Sequence, residues 1–431
     1  MKKIWKGLLK SCFIVVFTVL VLISYSKYLD IEISKLYAEK SDGLSLINGI
    51  AEKDKGNAWI RESGENGDLF VLGSSELASP VQQNIKNNFP NEDYAHNISA
   101  IGHSDVQNSL HAMDIGANYE NMKENDIVII ESIQWFFGDE IGADGFMSNF
   151  SELQFYEFLH NDKISESNKA YLCNRFLELE SKRVIEAKAS HPQDHNLLGR
   201  LWYKALESGM TRLVVANYDY PQTHMLAKLY ISDNLWDKVV YQIMRPYYYV
   251  KYEIMKLKDK RDVYNYLKAM DTVEQKTVFS TNWTAQLQQA ETDGEQACTN
   301  NDIYVYDDYY IQYLSQEWEN LENSIKDIKT LESKEWEDFR FLLSVCNDLE
   351  LHPYIVNVSA NGYYYDHVGV NNESRQEYYS KLEEVADEYG IETYNDLKNM
   401  EYVPYTFADV MHLGWKGWIY VTEAITEHFS K

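Results

Sequence analysis

The short apolar run Asp68-Leu69-Phe70-Val71-Leu72 ends directly on Gly73-Ser74-Ser75, and this junction constrains the fold more than any other feature of the chain. A run bounded by polar residues and glycine, and apolar throughout its middle, reads as a buried strand that stops at a glycine turn. Two further runs have the same character, Asp126-Ile127-Val128-Ile129-Ile130 and His352-Pro353-Tyr354-Ile355-Val356-Asn357-Val358. Between them the pattern turns helical, with apolar residues at three and four spacing over 153–176, 195–208 and 324–348. The expected architecture is α/β, a parallel sheet with a helical insertion at about 150–345.

A serine at a strand-to-helix turn is well placed to act as a nucleophile, because the backbone N–H groups at the helix start are free to hold a developing anion. Ser75 is the candidate, and a serine needs a base. Asp409-Val410-Met411-His412 offers one: the carboxylate three residues earlier can take one imidazole nitrogen while the other faces Ser75. Taken singly, each segment has a plainer reading. Gly-Ser-Ser is a helix cap with Glu76 favoured by the helix dipole, and Asp-x-x-His is a surface cap or half of a metal site. The order Ser, Asp, His and the flanking strand favour the joint reading.

Four blocks then carry a resemblance. They are Gly73-Ser74-Ser75-Glu76-Leu77, Gln134-Trp135-Phe136, Asn361-Gly362-Tyr363-Tyr364-Tyr365-Asp366-His367, and His412-Leu413-Gly414-Trp415-Lys416-Gly417-Trp418. In that order they resemble the DltD family of D-alanyl-lipoteichoic acid biosynthesis, and the last block is the most specific. The resemblance implies an SGNH-hydrolase-like three-layer α/β fold outside a Gram-positive membrane. It implies a serine acyltransferase or thioesterase-like activity in D-alanylation of teichoic acid, with Ser75 as nucleophile, His412 as base and Asp409 as its partner. Ser75 is preferred to Ser74 as the third residue of the Gly-x-Ser pattern. Gly102, after Ile101, matches a glycine whose N–H serves the oxyanion hole, and Gln134 stands where the superfamily places an amide. Tyr365, Asp366 and His367 either line the pocket or stabilise a tyrosine-rich loop. The implied partners are a D-alanyl donor, a teichoic acid acceptor, a membrane O-acyltransferase and the D-alanyl carrier protein, with no cofactor and no metal. Two departures stand beside the matches: Ser132-Ile133 replaces Ser-Pro before Gln134, and Ser79-Pro80 and Phe89-Pro90 stand where a His-Pro is usual. Rival readings are an O-acetyl esterase or transferase of wall polysaccharide, and a tethered adaptor without activity of its own.

Lys2, Lys3, Lys6 and Lys10 precede an apolar stretch over 12–23, and only Lys27 follows it closely. The stretch is short for a spanning helix, so a cleaved signal peptide is the rival reading, but Ser24-Tyr25-Ser26 is a poor cleavage site and favours an uncleaved signal anchor within 1–30, a transmembrane helix, with 31–431 as a single extracellular domain by the positive-inside rule. Few prolines, 7 in 431 residues, and no low-complexity stretch leave no obvious linker inside that domain. A formal charge of −27 argues against nucleic acid as a natural partner, and means that contact with a polyphosphate is local or that the protein mainly handles the incoming D-alanyl donor. Cys12, Cys173, Cys298 and Cys346 are isolated, so one disulfide is the most that can form outside the membrane. The stretch 241–267, rich in tyrosine and lysine, is expected to form either a lid or interaction face, or a packed amphipathic helix pair.

Overall fold

The structure, a computed structural model, describes residues 2–44, 56–138, 140–189, 218–270 and 277–430. Helices α1 (Lys2–Leu44) and α2 (Ala58–Glu65) lead into β1 (Leu69–Leu72) and β2 (Ile98–Ile101). Then come α3 (Asn108–Met122) and β3 (Ile127–Ser132). The helical stretch holds α4 (Ala143–Asn149), α5 (Glu152–His160), α6 (Glu166–Ala189), α7 (Pro221–Ile231), α8 (Leu235–Ala269), α9 (Trp283–Ala297) and α10 (Glu335–Asp348). It is followed by β4 (Tyr354–Val358), α11 (Gly362–Val368), α12 (Asn372–Glu388), β5 (Thr393–Tyr394) and α13 (Trp415–Phe429).

The five strands form one parallel sheet in the order β2-β1-β3-β4-β5. Leu72 pairs with Ile101 on one side and Ile129 on the other, so these three strands end close together. The chain leaves β1 toward β2 and returns on the opposite side as β3. In an open α/β sheet such a reversal leaves a crevice at the carboxyl ends of the strands.

Side chains alternate across the sheet and build two cores. Phe70, Leu72, Ile101, Ile127, Ile129 and Ile355 pack beneath α3, α5, α6, α10 and α12. Leu69, Val71, Ile98, Val128, Ile130 and Val356 face the other way, against α13 and Ala290 of α9. Strands buried on both faces explain why their sequences are continuously rather than alternately apolar. A third cluster joins Leu29, Ile33 and Tyr37 of α1 to Trp59 of α2 and to Val263 and Leu267 of α8.

Several expectations change in detail. The helical pattern over 153–176 is broken into α5 and α6, because Asn161 leaves the helical conformation and its side-chain amide donates to the Gly116 carbonyl at 2.8 Å. The pattern over 324–348 becomes a regular helix only at Glu335, where the Ser333 hydroxyl accepts the Glu335 N–H and donates to the Gly138 carbonyl. The segment 195–208 lies outside the described residues. The stretch 241–267 lies within the single helix α8 and packs against α1, α5 and α7. Cys173, Cys298 and Cys346 are buried free thiols, so no disulfide forms among the described residues. Helix α1 continues past residue 30, and no helix among the described residues is long and apolar enough to cross a membrane. Its uncharged stretch between Lys10 and Lys27 falls short of the ~20 residues that a spanning helix typically needs.

Candidate active site

Ser75 leaves β1 at the switch point. The expected helix after it is a single 3₁₀ turn, Ser75–Ala78, so any anion binding there rests on individual N–H groups rather than on a helix dipole. Neither serine side chain caps this turn. Ser74 is buried, and its hydroxyl donates to the His103 carbonyl at 3.3 Å. The half-buried Ser75 places its Oγ 2.8 Å from His412 Nε2.

His412 Nδ1 lies 2.7 Å from Asp409 Oδ2. An ionised carboxylate only accepts, so Nδ1 carries the proton and Nε2 presents its lone pair to the Ser75 hydroxyl. The other Asp409 oxygen, Oδ1, accepts the backbone N–H groups of Met411 and His412 at 2.9 and 2.8 Å. Asp409 therefore fixes both the ring and the loop that bears it. Burial of the imidazole disfavours its charged form, but the Asp409 hydrogen bond and charge, together with Glu76, outweigh this and hold His412 above its ordinary pKa.

The glycines of the last block explain how this loop is clamped. Ala408 N–H bonds the His412 carbonyl at 2.9 Å, and Gly414 N–H bonds the Thr406 carbonyl at 2.7 Å, closing a tight hairpin. A Cβ on Gly417 would sit 2.3 Å from the Thr406 oxygen, and one on Gly414 2.5 Å from the Phe407 carbonyl carbon. Only glycine lets α13 start this close to the hairpin. Trp415 and Trp418 fill the core beneath it, and Lys416 pairs with Glu291 of α9 at 3.0 Å.

Gly102 has φ +127°, and a Cβ there would lie 1.7 Å from the Gly73 carbonyl oxygen. The turn after β2 thus abuts the turn that carries Ser75. Gln134 is half-buried in the 3₁₀ turn after β3, and its side-chain amide has no hydrogen-bond partner among the described residues. Its neighbours belong to the core: Trp135 is buried, and Phe136 packs on Trp336 at 4.4 Å and Tyr378 at 5.0 Å. Ser79, at the position of the expected departure, donates to the Leu413 carbonyl at 3.2 Å and so ties the Ser75 turn to the His412 loop.

The remaining candidates separate. Tyr365 is buried, and its hydroxyl is pushed up by burial, with Tyr364, Tyr309 and Asp409 adding to the shift. It therefore lies within electrostatic reach of the Asp409 carboxylate. Asp366 instead accepts from Arg375 at 2.8 Å and from the Tyr402 hydroxyl at 2.6 Å. His367 stacks flat on Trp318 at 4.0 Å, with Nε2 2.7 Å from the Trp318 carbonyl. Both side chains are engaged in fastening α11 to its neighbours, and the tyrosine-rich loop expected here is a helix.

Three buried carboxyls near the site escaped the reading of the motifs. Glu76, cited only for the helix dipole, accepts the Ser74 N–H at 2.8 Å, and burial raises its pKa. Asn108 donates from its amide to Glu131 at 3.3 Å and to Glu335 at 3.0 Å. Burial, reinforced by Glu335, holds Glu131 far above the carboxylate range, and burial with Asp338 pushes Glu335 up to about 8. A glutamate closing the run Ile127-Val128-Ile129-Ile130 was the available signal for this layer. Among the described residues, no group of His, Cys, Asp and Glu is arranged to hold a metal ion.

Comparison with known proteins points one way. The family model described as DltD protein matches residues 51–196 and 208–430. The chain is 26% identical over 362 residues to Protein DltD of Bacillus subtilis (strain 168), covering 84% of this chain and 82% of that one. It is 22% identical over 372 residues to Protein DltD of Staphylococcus aureus (strain NCTC 8325 / PS 47), covering 84% and 80%.

Proposed function

This chain belongs to the DltD family, and we propose that it is a serine acyltransferase or thioesterase acting in the D-alanylation of teichoic acid at the outer face of a Gram-positive membrane. The observation that carries this reading is the continuous line Ser75 Oγ, His412 Nε2, His412 Nδ1, Asp409 Oδ2, with links of 2.8 and 2.7 Å. Ser75 Oγ attacks the carbonyl carbon of a D-alanyl ester or thioester while its proton passes to His412 Nε2. The tetrahedral anion is held by the N–H groups of Ser75 and Gly102. Its collapse expels the alcohol or thiol, which takes the proton back from His412 and leaves D-alanyl on Ser75. A hydroxyl of the polymer, deprotonated by His412, then attacks this ester and restores the serine.

Supporting an SGNH-hydrolase-like assignment are the nucleophile after β1, the glycine after β2, the amide after β3, and the Asp-x-x-His loop just before α13. Gln134 and Tyr365 are assigned to the pocket, while Asp366 and His367 are assigned to holding its rim. Uncharged residues between Lys10 and Lys27 form the tether. The domain over 31–431 then meets its acyl donor outside the cell, which directs partner choice toward a membrane O-acyltransferase; the D-alanyl carrier protein partners it only if it too reaches that side.

Intact-mass measurement after a serine-directed fluorophosphonate, then after a D-alanyl thioester, tests this. The expected result is one adduct of each kind on the wild type and none on Ser75→Ala. Unmodified wild type with both reagents would reject the activated serine.

A further inference from the structure

We infer that α8 is a membrane-surface element: its exposed face lies against an anionic lipid bilayer and sets the height and orientation of the domain above it. Trp236, Val239, Ile243, Tyr247, Val250 and Ile254 recur at three and four spacing and so share one face of α8. They are 65, 41, 70, 42, 56 and 59% exposed. The opposite face already serves the core, with Tyr248 and Tyr252 buried and Tyr241, Met244 and Met255 packed on the same cluster. The exposed stripe is thus surplus to folding and extends about 27 Å at 1.5 Å per residue. A continuous apolar strip of that length on a soluble face marks an interaction site.

Charge identifies the occupant. The chain carries −27 overall, yet α8 holds eight lysines and arginines against four acidic residues. A helix with tryptophan and aliphatic residues on one face and lysine and arginine around it suits an anionic interface. Direction agrees. Lys260 Nζ bonds Ser26 Oγ at 2.9 Å and Asp30 Oδ2 at 2.8 Å, while Lys40 Nζ bonds the carbonyls of Leu267 and Met270 at 2.6 Å. Helices α1 and α8 therefore meet with the same chain sense, so the exposed apolar side chains between Phe13 and Ile23 and the α8 stripe lie on the same side of their junction. This last point rests on the tether assigned to α1 above; periodicity and charge do not.

The test uses the full chain with Cys12→Ser, reconstituted in nanodiscs of phosphatidylglycerol and carrying a fluorophore at Phe17→Cys, Ile243→Cys, Val250→Cys or Ile185→Cys, one at a time. The other cysteines are buried, and Ile185 is an exposed position on α6, away from the stripe. Doxyl-labelled lipid is expected to quench positions 17, 243 and 250 and to spare 185. Quenching at 243 and 250 is expected to fall when phosphatidylcholine replaces phosphatidylglycerol. Quenching at 17 with 243 and 250 as bright as 185 would overturn the inference and leave the tether standing. Quenching at 243 and 250 without 17 would remove the tether and keep the inference, and no quenching at any of them would remove both. Equal quenching in the two lipids would overturn the assignment to an anionic surface.

Discussion

Asp409 with His412, on a loop, and Asp366 with His367, on the short helix α11, offer the same functional groups beyond the carboxyl edge of the sheet, and the protein uses them differently. His412 gives one nitrogen to Asp409 and keeps the other for Ser75, inside a hairpin already closed by backbone bonds. His367 gives its Nε2 to a backbone carbonyl and its face to Trp318, and Asp366 gives both oxygens to Arg375 and Tyr402. Asp409 also holds its loop through Oδ1, but backbone bonds share that task, so His412 keeps Nε2 uncommitted to the scaffold. Where the pair is the fastening, no valence is left over for a substrate.

The sharpest way to break this contrast is to remove the base. His412→Ala should lower the rate of acyl transfer by at least about 10⁴-fold with unchanged thermal unfolding, while His367→Ala should lower stability and spare the rate per folded molecule. Next, Asp409→Asn should cost about 10³–10⁴-fold by favouring the wrong tautomer of His412. Asp366→Asn should cost less than about 3-fold by the same assay, since its role is to fasten α11. Third comes stability. Arg375 is fully buried against Glu401 and Asp366, and Arg375→Met leaves the buried Glu401 uncompensated, so urea unfolding should show a loss of about 3–5 kcal/mol. A variant as stable as wild type would mean that the rim is not fastened there.

The pH dependence refines the comparison further. His412 must be neutral to accept the serine proton, and its pKa is raised in the folded protein, so activity should rise with pH through an acid limb above the ordinary histidine value of about 6.5. Glu76→Gln removes one of the raising charges, and the limb should move down. The linked stability has the opposite sense: what His412 contributes is fully present below about 6.5 and is lost as pH rises through its raised pKa. The smallest expected effect is that of His367→Gln, about 1 kcal/mol from the lost bond and stacking, read by thermal unfolding.

Much of this was legible in the chain. Continuous apolar runs located β1, β3 and β4 to within two residues, because burial on both faces leaves no polar alternation to blur them. The strand β2 was visible only as Ile101 before Gly102, since Ile98-Ser99-Ala100 is too short and mixed to stand out, and the two-residue β5 gave no signal. Ser75, Asp409 and His412 could be placed from spacing and order. The fate of Asp366 could not, because its partner Arg375 is one of many charged residues in a polar helix and its choice among carboxylates is settled by tertiary packing. Glu76 illustrates the same limit. Its residue type suggested a helix terminus, whereas its burial under the Ser74 N–H depends on how the turn is covered.

The distance between Ser75 and His412, 337 residues along the chain, bears on biosynthesis. A polypeptide emerging from its N-terminus exposes Ser75 early, with β1 and its turn, and gains His412 only when the final hairpin docks on α13. Until then Ser75 is an ordinary alcohol. Under the proposed roles, growing chains stay inert toward activated acyl groups while they fold, and a chain cut short before residue 412 would be an unarmed copy rather than a leaky hydrolase.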